Sequence, residues 1–108
     1  AGDISNIFLE RTQNIPEQIT VNPSFPNPFN NETRITFSLP HDTFVSIKIF
    51  NLKGELINTL MNEQKIQGSY SAIWKGIDNQ SRQVSSGTYF LTVSAGEYRN
   101  ISKILFIK

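Results

Sequence analysis

The chain of 108 residues has no cysteine and only one histidine, one tryptophan and one methionine. Without cysteine there are no disulfides and no thiolate metal sites, and the redox compartment is left open. His41 has no second imidazole with which to share a metal, and no nucleophile and acid flank it. It sits in a Pro40-His41-Asp42 turn and reads as solvated. Charge of one sign is equally scarce. Ten Lys and Arg against nine Asp and Glu leave a net charge of +1, which points to neither nucleic acid nor an anionic membrane as partner. No apolar run approaches the length of a membrane span; the longest is Ile104-Leu105-Phe106-Ile107. Ala1-Gly2-Asp3-Ile4 shows neither the basic nor the apolar region of a signal peptide. The chain therefore reads as a piece of something longer, or a mature product. The carboxylates are scattered singly, and neither a G-x-S-x-G elbow nor a phosphate-cradling glycine loop occurs. An enzyme is the least supported reading, and no cofactor and no metal are expected.

What is present begins with Pro26-Asn27-Pro28-Phe29-Asn30. Each proline fixes φ near about −65° and pushes the preceding residue into an extended conformation. Neither proline can donate to a sheet ladder. Asn27 and Asn30 can hydrogen-bond their own backbone and hold a turn. The stretch reads as a stiff clasp that closes one end of a β domain and holds Phe29 pointing one way.

Around the clasp the chain reads as short strands. Residues 1–18 carry Ile4, Ile7, Phe8 and Leu9 at weakly helical spacing, and Pro16 stops any helix. They read as a linker with an apolar patch, and residues 19–108 as the domain. Ile19 to Asn22 is a short run that Pro23 assigns to an edge. Arg34 to Leu39 alternates, with Ile35, Phe37 and Leu39 on one face. Val45 to Ile49 alternates likewise and returns through Asn51-Leu52-Lys53-Gly54 to Leu56–Leu60, a hairpin with a type I turn and a glycine bulge at Gly54. Asn62 to Gly68 reads as a polar connection. Tyr70, Ala72 and Trp74 share a face of the next strand, which should end at Gly76. Asp78 to Arg82 is a polar loop. Ser85-Ser86-Gly87 introduces a strand from Thr88 to Ala95, and a tight turn at Gly96-Glu97 leads to a last strand over Ile101–Ile107. About seven short strands with turn signals every ~8–12 residues predict an all-β, immunoglobulin-like antiparallel sandwich.

These motifs together resemble the type A C-terminal sorting domain of proteins exported by the type IX secretion system, which is similar in turn to the immunoglobulin-like domain of flagellar hook-capping proteins. The resemblance covers about residues 15–108. It rests on the clasp, on Thr33 and Ile35 at the start of a strand, and on Ile47-Lys48-Ile49-Phe50-Asn51 followed by Gly54. It continues through Trp74-Lys75-Gly76 with Asp78-Asn79, through Val84 to Phe90 with Gly87 and Tyr89, and through Lys103 to Lys108. Asn31 stands where the family often has a proline, Ser81 where a turn glycine is common, and Gln83 where a proline is common. The resemblance implies a non-catalytic sorting and anchoring domain on a secreted parent protein. Its partners would be the outer-membrane secretion machinery and the parent's preceding domain. It implies a secreted or cell-surface location in a Gram-negative, Bacteroidetes-like bacterium, reached through the periplasm. Two other readings remain, a carbohydrate-binding module of a secreted hydrolase and a structural spacer; polysaccharide is a partner only in the first of these.

Some residues admit two readings. Trp74, Tyr70 and Tyr89 could form a platform for sugar rings or fill the core, and the alternation of their strands favours the core. Asp78, Asn79 and Ser81 could ligate calcium, but the D-x-D-x-D-G spacing is missing and a plain turn is favoured. The triplets beginning at Asn31, Asn79 and Asn100 match a glycosylation pattern that is uninformative for a bacterial chain. Phe50, Phe90, Leu105 and Ile107 fall on faces opposite the main core residues. Either Ile7-Phe8-Leu9 covers them or they form an apolar patch for a partner. The expected recognition surface is this patch with the last strand, through Lys103, Leu105, Ile107 and Lys108.

Overall fold

The structure is a computed structural model that describes residues 18–108. The linker reading of the first residues, and the covering role of Ile7-Phe8-Leu9, lie outside the described residues. Seven strands form, and no helix among the described residues. They are β1 (Thr20–Val21), β2 (Thr33–Leu39), β3 (Thr43–Phe50), β4 (Leu56–Lys65), β5 (Gly68–Trp74), β6 (Gly87–Ala95) and β7 (Tyr98–Phe106). Their order is β1-β2-β5 in one sheet and β4-β3-β6-β7 in the other, with every pairing antiparallel. This is the immunoglobulin-like sandwich.

The period-two alternation builds the core. Ile35, Phe37 and Leu39 of β2 and Trp74 of β5 face Val45, Ile47 and Ile49 of β3, Leu91 and Val93 of β6, and Ile104 and Phe106 of β7. All of them are buried. Each fully buried Val, Leu, Ile or Phe contributes roughly 1.5–3 kcal/mol against exposure, so the interleaved faces are what hold the two sheets together.

Several boundaries differ from the sequence reading. β4 does not end near Leu60; it runs on to Lys65, with Asn62, Glu63 and Gln64 opposite Ser46, Val45 and Phe44. An edge strand is paired on one side only, so its polar residues stay solvated while the backbone ladder continues. β5 stops at Trp74, because Gly76 has φ of +70° and leaves the strand. β7 begins at Tyr98, which pairs with Ala95 across Gly96-Glu97. Gly96 alone has positive φ there, at +61°, as a two-residue II′ hairpin turn requires. In the β3–β4 hairpin Gly54 has φ of +81° and donates to the Asn51 carbonyl at 3.0 Å, beside a register shift between Ile49 and Phe50.

Candidate recognition surface

β7 is the edge of the four-stranded sheet, and the clasp closes half of that edge. The chain first pairs with β2, through β1 and then Phe25 opposite Arg34. It then crosses to the other sheet, where Phe29 runs parallel to Phe106. The Phe29 N–H donates to the Leu105 carbonyl at 3.0 Å, and the Ile107 N–H donates to the Phe29 carbonyl at 2.8 Å. Asn27 supplies the preceding step with its side chain. Its Nδ2 donates to the Lys103 carbonyl and its Oδ1 accepts from the Leu105 N–H, both at 2.9 Å. The amide thus stands in for a peptide unit of a neighbouring strand. The sequence reading gave Asn27 to a local turn, whereas its partners lie 76 and 78 residues away. Thr33, fully buried, donates its hydroxyl to the Pro26 carbonyl at 2.8 Å and fixes the crossing. The Phe25–Pro26 and Asn27–Pro28 peptides are cis.

Beneath the clasp an aromatic nest forms. Phe29 stacks on Phe106 with centroids 4.9 Å apart, and its ring lies 5.4 Å from Trp74, which meets Tyr89 edge-on at 5.1 Å. The Trp74 Nε1–H donates to the Ile77 carbonyl at 2.8 Å. Gly76 lies under the Phe106 ring, where a Cβ would fall 2.6 Å from ring carbon. The Tyr89 hydroxyl donates to the Ser85 carbonyl at 2.6 Å, the tyrosine corner of such sandwiches. That bond was missed in the sequence; a tyrosine near the start of a late strand was its signal. Trp74 and Tyr89 are buried and Tyr70 half-buried, so the first two offer no face to a sugar ring.

The Asp78 loop is committed to itself and to β4. Asp78 Oδ1 accepts from the N–H groups of Gln80 and Arg82 at 2.9 Å, and Oδ2 from the Arg82 Nε at 3.0 Å. The Arg82 N–H leads, with the Gln80 N–H and the Arg82 guanidinium, in holding the carboxyl below the usual range against the opposing effect of burial. Asn79 Oδ1 accepts from the Thr59 N–H at 3.0 Å, and the Asn79 N–H donates to the Ile57 carbonyl at 3.0 Å. These oxygens therefore serve the loop. Among the described residues no group of three or more His, Asp or Glu could hold a metal. Gly54 and Gly87 stand at the hairpin tip and at the start of β6 with open space where a Cβ would go.

The outer face of the four-stranded sheet presents the residues singled out in the last strand. Leu105 is 37% exposed and Ile107 49%, and Lys103 and Lys108 are exposed beside them. Phe50 and Phe90 pair across β3 and β6, half-buried, and Phe90 pairs in turn with Lys103. Leu56, opposite Phe50, is also exposed. The clasp fixes the backbone of Lys103 to Ile107, so these side chains stand on a rigid edge. Asn30 lies exposed at the far side of the clasp.

An immunoglobulin-like sandwich whose last strand is pinned by a Pro-Asn-Pro-Phe clasp defines a class of β module. The chain belongs to the secretion system C-terminal sorting domain family, that of the type IX system, whose pattern matches residues 24–108. No match was found among curated protein sequences. Among solved structures the chain is similar to dimeric latent PorU from Porphyromonas gingivalis, with 16% identity and a TM-score of 0.63 over 83% of this chain and 9% of that one. It is also similar to PorZ, a surface component of the type-IX secretion system of the same organism, with 18% identity and a TM-score of 0.52 over 83% of this chain and 11% of that one. FlgD from P. aeruginosa shares the fold with 18% identity and a TM-score of 0.53, over 82% of this chain and 72% of that one. The chain thus spans about a tenth of the length of PorU and PorZ.

Proposed function

We propose that this chain is a non-catalytic sorting and anchoring domain. It directs a secreted parent protein from the periplasm across the outer membrane of a Bacteroidetes-like bacterium to the surface or medium. Family membership supports the sorting role. The observation that carries the finer reading is the closure of the β7 edge by Asn27 and Phe29, which turns two distant motifs into one rigid surface. Lys103, Leu105, Ile107 and Lys108 on that surface are the side chains the outer-membrane machinery reads. The half-buried Phe50 and Phe90 extend it as an apolar floor. The preceding domain of the parent is the second partner.

The test is export of a reporter made of a signal peptide, a fluorescent protein and this chain, in a bacterium with the type IX system and in a strain without it. Reporter at the surface or in the medium only where the system is intact is the expected result. Reporter held in the periplasm of both strains, with the domain folded, overturns the reading.

A further inference from the structure

The clasp closes only half of the β7 edge. In an antiparallel ladder alternate residues turn their N–H and C=O groups to opposite neighbours. Leu105 turns both of its groups to the clasp, so Lys103, Ile101 and Arg99 face the same way. The Lys103 carbonyl is taken by Asn27. Among the described residues β7 pairs otherwise only with β6 and, at Phe106, with Phe29. Three donors (the N–H groups of Arg99, Ile101 and Lys103) and two acceptors (the carbonyls of Arg99 and Ile101) therefore line an open half-edge. Sheet edges of this kind accept an added strand.

The side chains at that half-edge select what is added. Arg99, Ile101 and Lys103 share the outer face, with Ile101 71% exposed between two cations. Lys48 stands two strands away in the row of Thr92 and Ile101. β3, β6 and β7 contain no Asp or Glu, although the chain as a whole is nearly neutral; Glu97, in the turn before β7, is the nearest carboxylate in sequence. Residues directly opposite on paired strands interact, and like charges there destabilise. A second copy paired about Ile101 would set Arg99 against Lys103 at both ends.

We infer that the open half-edge of β7 takes an extended protein segment of the secretion machinery carrying an apolar residue flanked, two positions away on either side, by carboxylates. The segment adds as a fifth strand beside β7. Its carboxylates meet Arg99 and Lys103, and its apolar residue lies on Ile101. The inference deepens the sorting reading and rests on it for the identity of the partner, while the chemistry of the edge is independent of export.

The probe is the peptide acetyl-Thr-Asp-Thr-Val-Thr-Asp-Thr-amide, whose palindromic pattern serves either strand direction, with Lys in place of Asp as control. Amide hydrogen exchange of the 108-residue chain is followed by NMR at millimolar peptide. Exchange at Arg99, Ile101 and Lys103 should slow by about tenfold or more with the acidic peptide and not with the basic one. Ile101→Pro, which removes an outward N–H without touching the β6 ladder, should abolish the effect, and the R99E/K103E pair should reverse the preference. No slowing, or equal slowing by both peptides, overturns the inference. So does slow exchange without peptide that rises with protein concentration, which would assign the edge to a second copy. In the export assay, Ile101→Pro reporter exported as well as wild type overturns the edge while sorting stands. Wild-type reporter that is not exported overturns sorting and leaves the peptide result intact.

Discussion

Gly76 and Ser81 carry the same backbone demand with different residues. Both have positive φ, +70° at Gly76 and +65° at Ser81, a region that costs an L-residue roughly 1–2 kcal/mol. Gly76 also lies against the Phe106 ring, with no room for a Cβ. Adding a methyl there combines backbone strain with overpacking, so Gly76→Ala should destabilise the domain by about 2–4 kcal/mol. Ser81 holds that conformation with an L-residue, and its side chain is exposed. Ser81→Gly should therefore stabilise by about 0.5–1 kcal/mol. Urea denaturation midpoints of the two variants check both signs. A neutral Gly76→Ala would mean that Phe106 swings away, and that the nest is looser than its stacked geometry implies.

At the scale of elements, the clasp and β7 form one unit although they are far apart in sequence. Asn27→Ala removes two hydrogen bonds to the β7 edge and should cost about 1–2 kcal/mol. Asn27→Asp should cost more, because an oxygen would then face the Lys103 carbonyl. Hydrogen exchange at the Leu105 amide should rise in Asn27→Ala, which removes its acceptor, and an unchanged rate there would show that the edge closes without Asn27. Much of this level was legible in the sequence. β2, β3 and β6 alternate cleanly because both of their neighbours are strands and one of their faces is core. β4 past Asn62 and β7 before Ile101 were not legible, since partly solvated edge strands keep polar residues that mimic loops. The prolines announced a stiff clasp, but its docking partner was invisible. Nothing local in Asn27 encodes a bond to a residue 78 positions away. Trp74, Gly76 and Tyr89 were singled out by motif, and the structure gathers them with Phe29 and Phe106 at one end of the sandwich. Asn79 shows the same edge device on β4, where its side chain accepts from the Thr59 N–H; the sequence had offered it as a turn residue or calcium ligand and gave no sign of this bond.

At the scale of the whole molecule, inner faces make the fold, and the proposed recognition rests on the outer face of the four-stranded sheet. Ile104 and Phe106 are fully buried, while Leu105 and Ile107 between and beyond them point outward. Deleting the last strand would therefore destroy the core together with any signal, and would not separate recognition from folding. Outward substitutions do separate them. The measurement that tests the central claim is export of the reporter carrying L105S and I107S, with folding of the isolated variant checked by thermal unfolding. The account predicts a folded domain whose reporter stays in the periplasm of a strain with an intact secretion system. A folded double variant exported as efficiently as wild type would contradict it.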